Sequence, residues 1–247
     1  LAHCPTSGDL LIQYTHSGVI APTLGVTDGT LTSDTSAVEP ILVTAGPSEP
    51  FNITLLFDPG MDPTYRAAFE SAAHRWEQVI VDGWDPEPLV VPQGFLGWIP
   101  AFNGTVDDVL IAARAVPLDG PLGLLGQAGT LGNRASNGDP YFGMMEFDSA
   151  DLADYAASGR LEDLILHEMG HVLGIGLNWV IEGRIDDLLT NPTYNGAAAN
   201  AAWHELGGLG KVPVEDQGGP GTRGVHWRES TFDSELMTGY SDGNEQL

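Results

Sequence analysis

The sequence predicts an α+β fold, and three observations predict it. Short β-rich runs bounded by turn residues fill most of the stretch from Phe51 to Asp148. A strongly amphipathic helical pattern lies among them, between Asp62 and about Val81. A second helical pattern, from about Gly159 to Leu173, follows the last run, so the elements do not alternate as in a parallel βαβ chain. The expected product is a mixed, twisted sheet with helices packed on it.

Each element has a local reason. Residues 1–48 are rich in Thr, Ser, Gly, Asp and Pro and read as an arm, with short strands at Leu10–Ile12 and Ile41–Val43. Phe51-Asn52-Ile53-Thr54-Leu55-Leu56-Phe57 is β-rich and stops at the turn Asp58-Pro59-Gly60. Asp62 then caps a helix with Pro63 in its first turn. Its apolar positions, Tyr65, Phe69, Ala72, Ala73, Trp76, Val79 and Ile80, recur at three and four, and Asp82-Gly83 closes it. Leu89–Val91, Val109–Ala113, Leu125–Thr130 and Tyr141–Phe147 read as strands. The helix from Gly159 presents Leu161, Leu164, Ile165 and Val172 to the core, and Gly174 ends it. Beyond Gly176 the chain turns frequently. Only Gly196–Leu206 reads as a helix, and the turn-like segment Gly218–Gly224 leads to His226.

The chain has 247 residues, 42% of them hydrophobic, enough for one large domain or one domain with two lobes. No unbroken apolar run approaches the length of a membrane span. The net charge is -25, from 34 acidic residues against 9 Lys and Arg, and Lys211 is the only lysine. Such a surface repels nucleic acid and anionic membranes. The acids are scattered and no D-x-[DN]-x-[DN]-G loop is present, so adaptation to high salt is favoured and a calcium site has no support. Cys4 is the only cysteine, which excludes an internal disulfide. Asn52 and Asn103 open glycosylation sequons, read as incidental.

The chemistry concentrates in His167-Glu168-Met169-Gly170-His171. Residues four apart lie on one helical face, so both imidazoles can reach one metal ion with Glu168 beside them as a base. From the His and Glu frequencies, chance would place such a motif in roughly one chain of this kind in a hundred. Two histidines leave a catalytic zinc site one protein ligand short. His3, His16, His74, His204 and His226 remain, and Glu205, on the Gly196–Leu206 helix, is an alternative third ligand. His74 reads as a surface or structural residue of its helix, His204 as a surface one, and His3 and His16 as part of the arm.

His167 to Gly174, a distant His226 and then Met237 resemble the metzincin proteases, whose pattern is H-E-x-x-H-x-x-G-x-x-H followed by a methionine turn. Leu177 stands here where that pattern has its third His. The leishmanolysin branch carries an insertion between the Gly and the third His, and the chain resembles it closely. The resemblance takes in His167–Gly176, His226-Trp227, Glu235-Leu236-Met237, the Phe51–Phe57 run with the Ala/Trp helix, and Asn191-Pro192-Thr193-Tyr194-Asn195-Gly196-Ala197. It spans roughly residues 50 to 242.

The resemblance implies a zinc endopeptidase with a cleft between two lobes. Residues 49–176 would form the N-terminal catalytic lobe and 177–247 the C-terminal one, with 1–48 as an arm or pro-segment-like region. It implies one Zn2+ held by His167, His171 and His226, with Glu168 as general base and Met237 in the turn beneath the metal. It offers Cys4 a role as a latency switch capping the zinc, beside the favoured reading of an ordinary free thiol. It assigns Gly126, Gln127, Ala128 and Gly129 to the sheet edge that takes an extended substrate. Tyr240 receives no role. The expected protein is a secreted, extracellular, monomeric enzyme of a high-salt environment acting on proteins or peptides. The competing readings are a zincin with Glu205 as third ligand and a non-catalytic, zinc-stabilised binding or adhesion module.

Overall fold

A computed structural model describes residues 50–121 and 123–241, together with the backbone of four short strands earlier in the chain. The chain divides into two compact units, Leu1–Glu49 and Pro50–Leu247. In the first, β1 (Gly18–Ile20) pairs antiparallel with β4 (Ile41–Val43), and β2 (Gly25–Thr27) with β3 (Thr32–Asp34). The strand expected at Ile41–Val43 is therefore present. That at Leu10–Ile12, with His3, Cys4 and His16, lies outside the described residues.

The second unit is built on a four-stranded mixed sheet. Its strands are β5 (Ile53–Phe57), β8 (Val109–Val116), β9 (Gly126–Asn133) and β10 (Pro140–Asp148), in the order β5-β8-β10-β9. β5, β8 and β10 run parallel, while β9 runs antiparallel to β10 and forms an edge. Both faces of β8 are covered, which is why Val109-Leu110-Ile111-Ala112-Ala113 reads as an unbroken apolar run. Val109, Ile111 and Ala113 face helices α1 (Pro63–Val79) and α3 (Leu161–Val172), against Phe69, Trp76, Ile165 and Met169. Leu110 and Ala112 face the other way, with Phe142, toward the hairpin of β6 (Glu87–Val91) and β7 (Phe102–Val106).

Helix α1 forms as its sequence dictates: Asp62 Oδ1 accepts from the Thr64 N–H at 2.9 Å, and Phe69, Ala72, Ala73 and Trp76 make the buried stripe. The Trp76 indole N–H donates to the Leu166 carbonyl at 3.0 Å, which fixes α1 against the middle of α3. The expected helix from Gly159 requires a correction. A separate helix α2 (Leu152–Ser158) precedes it, Gly159 closes that helix at φ 77°, and α3 starts only at Leu161. The left-handed turn that glycine allows separates two helices where periodicity alone suggested the beginning of one.

The remaining chain carries α4 (Leu177–Ile181), the small sheet of β11 (Ile185–Asp186), β12 (Thr193–Tyr194) and β13 (Val212–Pro213), α5 (Ala197–Glu205) and α6 (Glu229–Phe232). Of these, only α5 was legible beforehand, because two-residue strands and single-turn helices have no period to read. Trp179, Tyr194 and Trp227 cluster here in tilted and edge-on contacts, with ring centroids 4.3 to 5.6 Å apart. Leu161–Ile181 is long and apolar enough by composition to cross a membrane. In the fold it is two helices interrupted between Val172 and Leu177; Leu161, Leu164, Ile165, Leu166, Met169 and Val172 of the first form core, while Leu177 and Ile181 of the second are exposed.

Candidate metal centre

Helix α3 places His167 and His171 one turn apart on one face, and the loop after β13 brings His226 to them. The three Nε2 atoms lie 3.1 Å from one another, pair by pair. Each ring is oriented from behind. The Nδ1–H of His167 donates to the Leu236 carbonyl at 2.8 Å, that of His171 to Ile175 at 2.9 Å and that of His226 to Thr222 at 3.1 Å. A carbonyl can only accept, so each Nδ1 carries the proton and each Nε2 presents a lone pair. Three converging lone pairs repel unless a cation lies among them.

The residues fit zinc. Tetrahedral bonds of about 2.0–2.1 Å place ligand atoms about 3.3 Å apart, close to the observed triangle. Outer hydrogen bonds from every ligand ring are what a zinc site requires. Burial pushes the pKa of His171 and His226 down to about 4, with the neighbouring histidine adding to the effect, so both are neutral at pH 7. Three protein ligands leave a fourth position open.

Glu168 is buried, and burial pushes its carboxyl up to about 8. It packs against Gly126 at the start of β9 and lines the same cavity as the histidines. Beneath the triad, Met237 is buried against Gly170, where a Cβ would collide with the Met237 sulfur. Gly176 has φ 106°, and a Cβ there would come 2.6 Å from the Val225 carbonyl and 3.0 Å from His171 Nδ1. That close approach brings the chain leaving α3 against the segment that carries His226.

The cavity measures about 760 Å³ and runs from β9 (Gly126 to Thr130) past the triad to Thr238, Gly239 and Tyr240. The structure thus brings together His167, Glu168, His171 and His226, places Met237 beneath them, and sets Gly126, Gln127, Ala128 and Gly129 along one wall. Glu205 is exposed on α5 and stands outside the ligand group. Cys4 lies outside the described residues. Sequence reasoning missed the carbonyls of Leu236, Ile175 and Thr222, since main-chain acceptors leave no mark in side-chain identity. It also missed Asp163 in the cavity wall, where Tyr240, considered and given no role, stands as well. Asp163 carried a signal, because it lies four residues before His167 on the same helical face.

A profile of the leishmanolysin peptidase family matches residues 103–244, from β7 through the third histidine and the Met237 turn. Leishmanolysin of Leishmania donovani is 30% identical over 118 residues, 43% of this chain and 20% of that protein. Leishmanolysin of Leishmania chagasi is 29% identical over 113 residues, 41% of this chain and 19% of that protein. The matched region is therefore about a fifth of the length of these relatives. The profile match takes in more than half of the residues, including the whole H-E-x-x-H helix and His226, and on that extent the chain belongs to the leishmanolysin family of metallopeptidases.

Proposed function

We propose that the chain is a zinc-dependent endopeptidase in which His167, His171 and His226 hold the metal and Glu168 is the general base. The observation that carries this reading is the set of three Nε2 lone pairs at 3.1 Å with Glu168 in the same cavity. Zinc, when bound there, supplies Lewis acidity toward water and the scissile carbonyl. The rest is work for the chain's own residues. Glu168 takes a proton from water at its carboxylate and returns it to the leaving amine. Its burial supports a pKa near the working range, and a dication beside it favours the ionised, proton-accepting form.

Substrate binds as an extended strand along the free edge of β9, by main-chain pairing. Gly126, Ala128 and Gly129 carry little or no side chain, which lets a second backbone approach. The Gln127 side chain is tied to the neighbouring strand, its amide donating to Glu146 Oε2 at 2.7 Å. The sheet with α3 forms the upper lobe of a metzincin arrangement, and the chain after Gly176 the lower one. A high-salt setting belongs to the same reading, on the acidic composition, and secretion on the family resemblance.

The test pairs zinc content with chelator-sensitive cleavage of casein. Glu168→Ala should keep one zinc per chain and lose cleavage. Retained proteolysis in that variant, or no zinc in the parent protein, overturns the proposal.

A further inference from the structure

Two of the three histidines are fixed by a helix, whereas His226 sits at the end of the loop 216–225, among Gly218, Gly219, Gly221 and Gly224. Such a loop has high conformational freedom, and something must close it. Glu215 stands at its base, fully buried at 1% exposure. The Glu215 N–H donates to the His226 carbonyl at 2.9 Å, and the Glu215 carbonyl accepts from the Gly224 N–H at 2.9 Å. Its carboxylate reaches both flanks: Oε1 accepts from the Gln217 N–H at 2.7 Å and Oε2 from the Glu229 N–H at 2.9 Å. One side chain thus joins the chain entering the loop to the first turn of α6, just past the ligand. Arg228 adds a second tie from the exit side, donating to the carbonyls of Val214 at 2.9 Å and Pro192 at 3.0 Å.

We propose that Glu215 is the positioning residue for the third metal ligand: its buried carboxylate closes the 216–225 loop so that His226 Nε2 is held at the triad before metal arrives. The proposal rests on His226 being a ligand. A histidine on an open glycine-rich loop would have to be ordered by the metal, and that ordering would be subtracted from the binding free energy. Glu215 removes this cost in advance.

The experiment measures metal binding on the metal-free full chain. Zinc affinity is read by competition with a chromophoric chelator, ligand geometry by the visible spectrum of the cobalt(II) form, and stability by thermal unfolding without metal. Glu215→Gln keeps the shape but turns an N–H donor toward one of the two main-chain N–H groups. It should weaken zinc binding by about 10- to 100-fold and alter the cobalt spectrum. Asp148→Asn is the matched control, a buried carboxylate that also accepts main-chain N–H groups but touches no ligand segment. It should lose stability while keeping the parent's zinc affinity. Equal zinc affinity in Glu215→Gln and the parent overturns the assignment of Glu215 and leaves the metal centre standing. Failure of the parent to bind one cobalt overturns the metal centre and this proposal with it. Should Glu215→Gln not fold, amide exchange in the unaltered chain decides. The N–H groups of Gln217, Gly224 and Glu229 should already exchange slowly in the metal-free chain, and exchange there at the rate of an open loop, slowed only when zinc is added, overturns the pre-organisation.

Discussion

Gly126 and Glu168 are in such close contact that a Cβ at position 126 would lie 3.0 Å from Glu168 Oε1 and 3.1 Å from its Cδ and Cγ. The edge strand and the proposed base therefore share one surface. The strand on which substrate would lie also sets where the carboxylate can be.

Gly126→Ala follows directly. No positive φ is required at Gly126, so the backbone tolerates the methyl group and the strain falls on Glu168. Displacing a general base by a few tenths of an ångström to 1 Å costs up to about 10²-fold in rate. The expected outcome is a fall in kcat/KM of about that order, with one zinc per chain retained and little change in Tm. A variant that loses zinc along with activity would show that the methyl acts on the ligands instead.

Gly170→Ala tests the floor of the site. A Cβ at residue 170 would collide with the Met237 sulfur and lie 2.8 Å from its terminal carbon. Both groups are in the closed core, so the added methyl should destabilise by about 1–3 kcal/mol. Shortening the opposing side chain should relieve it. Met237→Ala alone leaves a cavity and is also destabilising, yet the double variant should be more stable than the sum of the two losses predicts. Simple additivity in thermal unfolding would mean that the two residues do not press on one another.

How much of this was legible beforehand depended on period and on chain direction. The α1 stripe and the helical face shared by His167 and His171 repeat at the spacing of a helix, the unbroken apolar run of β8 marks a strand covered on both faces, and each was read from sequence. The edge position of β9 was anticipated from the family resemblance, by the order of its strands along the chain. What stayed hidden is non-periodic. β7 carries Asn103-Gly104-Thr105 in its centre, a poor strand sequence held by pairing with β6. α2 is ended by a glycine that read as the start of the next helix. Glu215 is one acid among many by composition, and only the folded loop shows that its two oxygens serve Gln217 and Glu229.

The pH dependence of stability should carry two contributions of opposite sign. The N–H groups of Ala150, Asp119, Gly120 and Leu118 hold the Asp148 carboxyl below the usual carboxylate range. A lowered folded pKa adds stability above the unfolded value, lost as pH falls through the folded one. Burial pushes Glu235 the other way, up to about 7. A raised folded pKa gives stability that is full below the unfolded value of 4.5 and is lost as pH rises through about 7. Glu235→Gln should therefore raise Tm at pH 8 and change it little at acidic pH, since the amide still accepts from the Met237 N–H that Glu235 holds at 2.7 Å. Asp148→Asn should lower Tm at neutral pH and flatten the acid limb. A Glu235→Gln chain no more stable than its parent at pH 8 would remove the burial argument.

The charge of -25 makes a prediction of its own. With 34 acids against 9 basic side chains, self-repulsion opposes the compact state. Nine basic side chains cannot neutralise 34 acids, even with pairs such as Arg114–Glu146, Arg184–Glu182, Lys211–Asp186 and Arg228–Asp216 in place. Screening should therefore stabilise. At about 0.05 M salt the Debye length is more than 10 Å, while at about 1 M it is about 3 Å and most surface charges no longer interact. Tm should rise steadily between those conditions and go on rising toward molar salt. The gain should be the same in NaCl and KCl and should survive chelation, which separates charge screening from metal binding. A midpoint that is flat or falling with salt would show that the acidic surface is not an adaptation to high ionic strength.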